Sequence, residues 1–96
     1  MKRRLAIFAS GAGSNFEAIA RACADGTLPA EAVLMVCDRP GAAVIERAER
    51  LGVPSFVFSP KTYESKAAYE QEIVSRLREA GVDFICLAGY MRILSD

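Results

Sequence analysis

Between Ala9 and Phe16 the chain reads Ser10-Gly11-Ala12-Gly13-Ser14-Asn15, the stretch whose residue types are best suited to chemistry. Gly11 and Gly13 can take positive φ and let a ligand come close to the backbone. Where such a loop opens into a helix, the first N–H groups lack intrahelical partners. Together with the positive end of the helix dipole they form a seat for a phosphate. The Ser14 hydroxyl and the Asn15 amide add side-chain donors. The competing reading is a tight strand-to-helix turn with Ser14 or Asn15 as N-cap; two glycines, a serine and an asparagine together favour the seat. The kind of phosphate can be narrowed. A P-loop carries a lysine after its second glycine, and none follows here. The dinucleotide fingerprint needs a third small residue where this chain has Phe16, which would hold helix and strand too far apart for a pyrophosphate wrap. Asp38 stands where a ribose-binding acid would sit, and equally well begins the turn Asp38-Arg39-Pro40-Gly41. A single phosphate monoester fits the loop better than a pyrophosphate.

A second group, Gly89-Tyr90-Met91-Arg92-Ile93-Leu94, follows the last apolar run. It offers an apolar wall for a flat heterocycle with backbone N–H and C=O at its edge, or else Ile93 and Leu94 begin a further core element. Other chemistries are excluded within this stretch. With no histidine among the 96 residues, there is no Ser-His-Asp or Cys-His nucleophile and no histidine-ligated metal. Cys23, Cys37 and Cys86 form no Cys-x-x-Cys pair and read as reduced, mostly buried thiols of a cytoplasmic protein.

The elements that must position these groups follow from hydrophobic period. Four short apolar runs, Leu5–Ala9, Val33–Cys37, Ser55–Phe58 and Phe84–Ala88, read as strands. The second and fourth are continuously apolar, as strands buried on both faces of a parallel sheet are. Between them lie helical stripes: Phe16, Ile19, Ala20 and Cys23; then Val44, Ala48 and Leu51, with Glu46 and Arg50 as an i,i+4 pair; then Tyr69, Ile73, Leu77 and Ala80. Asp25-Gly26, Gly52 and Gly81 end these helices, and Ser65 caps the third. The order β-α-β-α-β-α-β predicts an α/β fold, a Rossmann-like doubly wound parallel sheet in the strand order 3-2-1-4. The chain reverses between strands 1 and 4, so the crevice at their carboxyl ends is the expected ligand site.

Length and charge set the outer bounds. Ninety-six residues make one domain, which buries roughly 60–65% of its unfolded surface. Twelve Lys+Arg balance twelve Asp+Glu, so net charge draws the chain to neither nucleic acid nor anionic membrane. Lys2-Arg3-Arg4 before Leu5–Ala9 imitates a signal peptide, but five apolar residues are too few for one.

Ser-Gly-x-Gly-Ser-Asn after the first strand, with Leu87-Ala88-Gly89-Tyr90-Met91-Arg92-Ile93-Leu94-Ser95 after the fourth, resembles the phosphoribosylglycinamide formyltransferase family. Ala48–Pro54 and Tyr69–Ile73 are similar to segments of that family as well, and the resemblance covers the whole chain. It implies that residues 1–96 form a single N-terminal α/β substrate-binding region, the N-terminal half of a formyltransferase fold. It further implies transfer of a formyl group from 10-formyltetrahydrofolate to the amine of 5-phosphoribosylglycinamide in purine biosynthesis, with no metal. The family's phosphate loop falls on Gly13, Ser14 and Asn15, and its folate segment on Met91, Arg92, Ile93 and Leu94. A basic folate contact falls on Lys66, which meets carboxylates as a point charge without the bidentate fork of arginine and otherwise reads as a surface residue. The family's catalytic asparagine, histidine and aspartate would lie beyond Asp96, so these residues alone are expected to be inactive. The resemblance also implies a cytoplasmic protein with small-molecule partners, neither nucleic acid nor membrane. The strand-4 edge, left apolar, is expected to support self-association. Two alternatives stand beside this: a nicotinamide-dinucleotide-binding domain, and a formyltetrahydrofolate hydrolase. The hydrolase is expected to carry a regulatory domain ahead of its first strand, whereas here strand 1 begins at Leu5.

Overall fold

A computed structural model describes residues 3–87 of the chain. The elements are β1 (Arg3–Ala9), α1 (Ser14–Ala24), β2 (Ala30–Cys37), α2 (Ala43–Leu51), β3 (Ser55–Val57), a single 3-10 turn at Pro60–Thr62, α3 (Lys66–Ala80) and β4 (Phe84–Leu87). All strand pairs are parallel and the sheet runs β3-β2-β1-β4, the expected order. β1 and β2 start earlier than their apolar runs, because Arg3 and Arg4 pair with Ala30 and Glu31 at the wet end of the sheet. Ladder hydrogen bonds there need no apolar side chain.

Alternation along the central strands divides the core in two. Ile7 and Ala9 of β1 and Met35 and Cys37 of β2 face α1 and α2, where they meet Phe16, Ala20, Val44 and Ala48. Ala6, Phe8, Leu34 and Val36 face the other way, onto Phe56, Phe58, Tyr69 and Ile73. The β1–β2 register slips between Leu5 and Ala6, so that Ala32 opposes Leu5 and Leu34 opposes Ala6. The bulge leaves Val33 and Leu34, neighbours in sequence, packed on the same cluster.

The helix ends follow local rules. Ser65 Oγ accepts the Ala68 N–H at 3.2 Å, and Gly52 and Gly81 close α2 and α3 in the left-handed conformation. At the start of α1 the cap is Gly13, and neither Ser14 nor Asn15 serves. The continuously apolar β4 is the exposed sheet edge expected from the sequence. It pairs with β1 alone, and Phe84, Ile85 and Leu87 are 56%, 45% and 56% exposed. Among the described residues it is an open edge, uncovered on both faces. Arg4 and Asp83 hold it by reciprocal bonds: Arg4 N–H donates to Asp83 Oδ2 at 2.9 Å, and Asp83 N–H donates to the Arg4 carbonyl at 2.7 Å. Ala88 and the whole Gly89–Leu94 loop lie outside the described residues.

Candidate functional site

The strand β1 ends on Ala9 and a fully buried Ser10, and the chain then turns through Gly11-Ala12-Gly13 into α1. Only one of the two glycines uses its freedom. Gly13 sits at φ +86°, whereas Gly11 has no positive φ. Gly13 is required for a second reason, since a Cβ built on it would lie 2.6 Å from Val44 Cγ2 and 2.8 Å from Val44 Cα. At Gly13 the loop is pressed against the first turn of α2 with no room for a side chain.

Three consecutive carbonyls of the loop are tied down. Gly11 O accepts from Val44 N–H at 3.1 Å, Ala12 O from Arg47 Nε at 2.7 Å, and Gly13 O from Glu17 N–H at 2.8 Å. The last of these is the first intrahelical bond of α1. The N–H groups of Ser14, Asn15 and Phe16 precede it, at the positive end of the helix. Ser14 and Asn15 are exposed, while Phe16 beside them is fully buried and anchors the helix to the sheet. The predicted trio Gly13, Ser14 and Asn15 is thus one contiguous surface: a rigid turn followed by two exposed polar side chains on a helix start.

A carboxylate in the first turns of this helix would oppose a bound anion, and its neighbours cancel it. Glu17 receives Arg21 Nε at 2.7 Å, Arg47 Nη1 at 2.7 Å and Arg50 Nη2 at 3.4 Å. Three guanidiniums face one carboxylate, so the local balance beside the loop is positive although the chain as a whole is neutral. Arg50 therefore pairs across to α1, not with Glu46 as the helical spacing suggested. Hydrogen bonds from Arg21 and Arg47 hold the Glu17 carboxyl below its ordinary value. A depressed carboxyl stabilises the fold above the unfolded-state value of about 4.3, and that contribution is lost as pH falls through the folded value. The stability gap between wild type and Glu17→Gln, read by thermal unfolding, should therefore narrow as pH falls below the unfolded-state value; a gap that stayed constant with pH would contradict this.

The other predicted residues fall as follows. Lys66 is exposed and is the first residue of α3, directly after the Ser65 cap. By topology it lies at the same carboxyl end of the sheet as Gly13–Asn15 but on the opposite face, with α3 on the second core cluster and α1 on the first. A cation at a helix start suits a carboxylate. Met91, Arg92, Ile93 and Leu94 lie outside the described residues. Asp38 is buried, 4% exposed, at the end of β2, so it does not stand open to a ribose. Burial raises the Cys37 thiol above its ordinary value, which leaves it a packing residue. Among the described residues no group of three or more His, Cys, Asp or Glu gathers to hold a metal, and no helix is long and apolar enough to cross a membrane. A recess of about 440 Å³ lined by Cys23, Ala30, Leu51 and Val53 is at the amino end of the sheet, away from the loop.

Val44, Glu17 and Arg47 escaped the sequence reading. The helical spacing of Val44 signals a core residue and not its contact to the loop. Glu17 and Arg47 are 30 residues apart, and no local spacing signals a pair that only the α1–α2 packing creates.

The family model described as formyl transferase matches residues 3–96. A phosphoribosylglycinamide formyltransferase of Bacillus subtilis is 54% identical over 94 residues, covering 98% of this chain and 48% of that protein. The trifunctional purine biosynthetic protein adenosine-3 of Drosophila melanogaster is 41% identical over 96 residues, which are 7% of its length. The crystal structure of glycinamide ribonucleotide transformylase 1 from Geobacillus kaustophilus superimposes with a TM-score of 0.96 at 59% identity, over 99% of this chain and 50% of that one. The chain spans about half the length of the Bacillus relative.

Proposed function

Because this chain belongs to the formyl transferase family, we propose that it forms the phosphate-binding part, and a portion of the folate-binding part, of a phosphoribosylglycinamide formyltransferase. The observation that carries the proposal is the α1 start: a glycine fixed at φ +86°, its neighbouring carbonyls tied away, and exposed Ser14 and Asn15 ahead of the first intrahelical bond. That arrangement takes a compact dianion at one point, as the 5-phosphate of a ribotide offers. The names of the relatives supply the rest of the substrate.

In this proposal the phosphate anchors on Gly13, Ser14 and Asn15, and the ribotide extends across the crevice towards the carboxyl end of β4. Met91, Arg92, Ile93 and Leu94 meet the edge of the folate ring system with main-chain groups. Lys66 meets the carboxylates of 10-formyltetrahydrofolate as a point charge. The donor supplies the formyl carbon, which the glycinamide amine attacks. The roles proposed for these residues are binding and alignment. Free Cys23, Cys37 and Cys86 fit a reducing, cytoplasmic setting. The open apolar edge of β4 supports self-association of the chain.

The test is an NMR titration of the labelled chain with phosphoribosylglycinamide and separately with NADH. Amide shifts centred on Gly13 to Glu17 with the ribotide alone are expected. Shifts with NADH reaching Asp38 would replace this reading by the dinucleotide one, which buried Asp38 and buried Phe16 both disfavour.

A further inference from the structure

We propose that Arg47 is a positioning residue for the phosphate loop, acting through the backbone and not by touching the ligand. The inference rests on the phosphate reading of Gly13–Asn15 and deepens it. Arg47 lies one turn beyond Val44, on the side of α2 that faces α1. Its guanidinium uses two different nitrogens: Nε donates to Ala12 O at 2.7 Å and Nη1 donates to Glu17 Oε1 at 2.7 Å. Ala12 immediately precedes the Gly13–Asn15 segment and Glu17 follows it by two residues. One planar group therefore fastens both ends of the segment that would hold the phosphate.

The chemistry of this clamp is specific to arginine. Two divergent donors in one rigid plane fix the distance between a carbonyl and a carboxylate, whereas lysine offers a single nitrogen on a flexible stem. The second function is electrostatic. Glu17 is 16% exposed and close to the helix start, so an uncompensated carboxylate there would repel an incoming dianion. Arg47, itself only 31% exposed, neutralises that carboxylate from the buried side while Arg21 does so from the solvent side. Holding the Ala12 carbonyl also turns its negative end towards α2 and away from the crevice.

The experiment compares Arg47→Met and Arg47→Lys with the wild-type chain in two measurements. In the ligand-free protein, hydrogen exchange of the Glu17 amide should accelerate about tenfold in Arg47→Met, while the Ile73 amide in α3 keeps its wild-type rate. With ligands, affinity for phosphoribosylglycinamide should fall about tenfold in Arg47→Met, the size of one lost charge-assisted hydrogen bond. Arg47→Lys should recover only part of it, and the dephosphorylated riboside should bind all forms alike. A purely structural role would instead raise exchange everywhere and weaken both ligands equally. Should Arg47→Met not fold, Arg47→Lys carries the test: it keeps the charge but not the two divergent donors, and should bind the ribotide more weakly than wild type while binding the riboside alike. Wild-type ribotide affinity in a folded Arg47→Met overturns the assignment alone. Failure of the wild-type chain to bind the ribotide overturns the phosphate reading and the assignment with it.

Discussion

Gly13→Ala is expected to destabilise the chain by about 2–6 kcal/mol and to remove ribotide binding in whatever fraction remains folded. Two separate costs add. A non-glycine residue held in the left-handed region costs roughly 1–3 kcal/mol, and Gly13 is at φ +86°. Overpacking a tight contact costs about 1–3 kcal/mol more, and here the new Cβ would sit 2.6–2.8 Å from Val44 Cγ2, Cβ and Cα. Trimming the partner does not repair this. Val44→Ala removes Cγ2 but leaves Cβ and the backbone Cα in place, so the double variant should stay close to Gly13→Ala. Gly11→Ala is the internal contrast: that position has ordinary φ and nothing within 4 Å of a built Cβ, so its midpoint should lie within a few degrees of wild type. Thermal unfolding followed by circular dichroism reads all three. A Gly13→Ala midpoint as close to wild type as that of Gly11→Ala would show that the loop is not wedged against α2.

Phe16→Ala carries an effect of similar size by a different route. The ring is fully buried in the cluster with Ile7, Met35, Val44 and Ala48, and truncating a core phenylalanine costs about 3–5 kcal/mol in lost burial and residual cavity. For a domain of this length that lowers the unfolding midpoint by more than about 10 °C. Phe16 is the third residue of α1, so the damage should concentrate at the helix start, with amide exchange rising first at Glu17 and its neighbours. The variant also bears on the dinucleotide alternative. If the bulk of Phe16 alone kept a pyrophosphate out, Phe16→Ala would gain NADH affinity. With Asp38 buried at the end of β2, no gain is expected. A midpoint shift below about 3 °C would mean that α1 is held by something other than this ring.

Sequence patterning carried the fold far because the two core faces are written in strict periods. Ile7 and Ala9 against Ala6 and Phe8, and Tyr69 with Ile73, obey the same alternation and helical spacing in the chain and in space. In β4 the apolar run is exposed among the described residues, as the apolar edge read from the sequence leads one to expect. The loop was legible from residue type, since glycine next to serine and asparagine after a strand has few uses. What holds it was not. The Arg47 clamp and the Val44 contact depend on how two helices lie side by side, which no local spacing encodes. The pairing assumed between Glu46 and Arg50 failed for the same reason: Glu17 of another helix meets Arg50 instead.

The bracing of the loop also has a consequence in time. The hydrogen bonds and ion pairs named above around it, from Gly11 and Ala12 through Glu17 and Arg21 to Val44, Arg47 and Arg50, lie within one stretch of 40 residues. The clasp between Arg4 and Asp83, by contrast, joins residues 79 apart and must close a much longer loop before it gives any return. During synthesis from the amino terminus, β1, α1, β2 and α2 are available to one another well before β4 exists. The loop before α1 is therefore built early, from neighbours, and the sheet edge beyond it is laid down afterwards on a template already set.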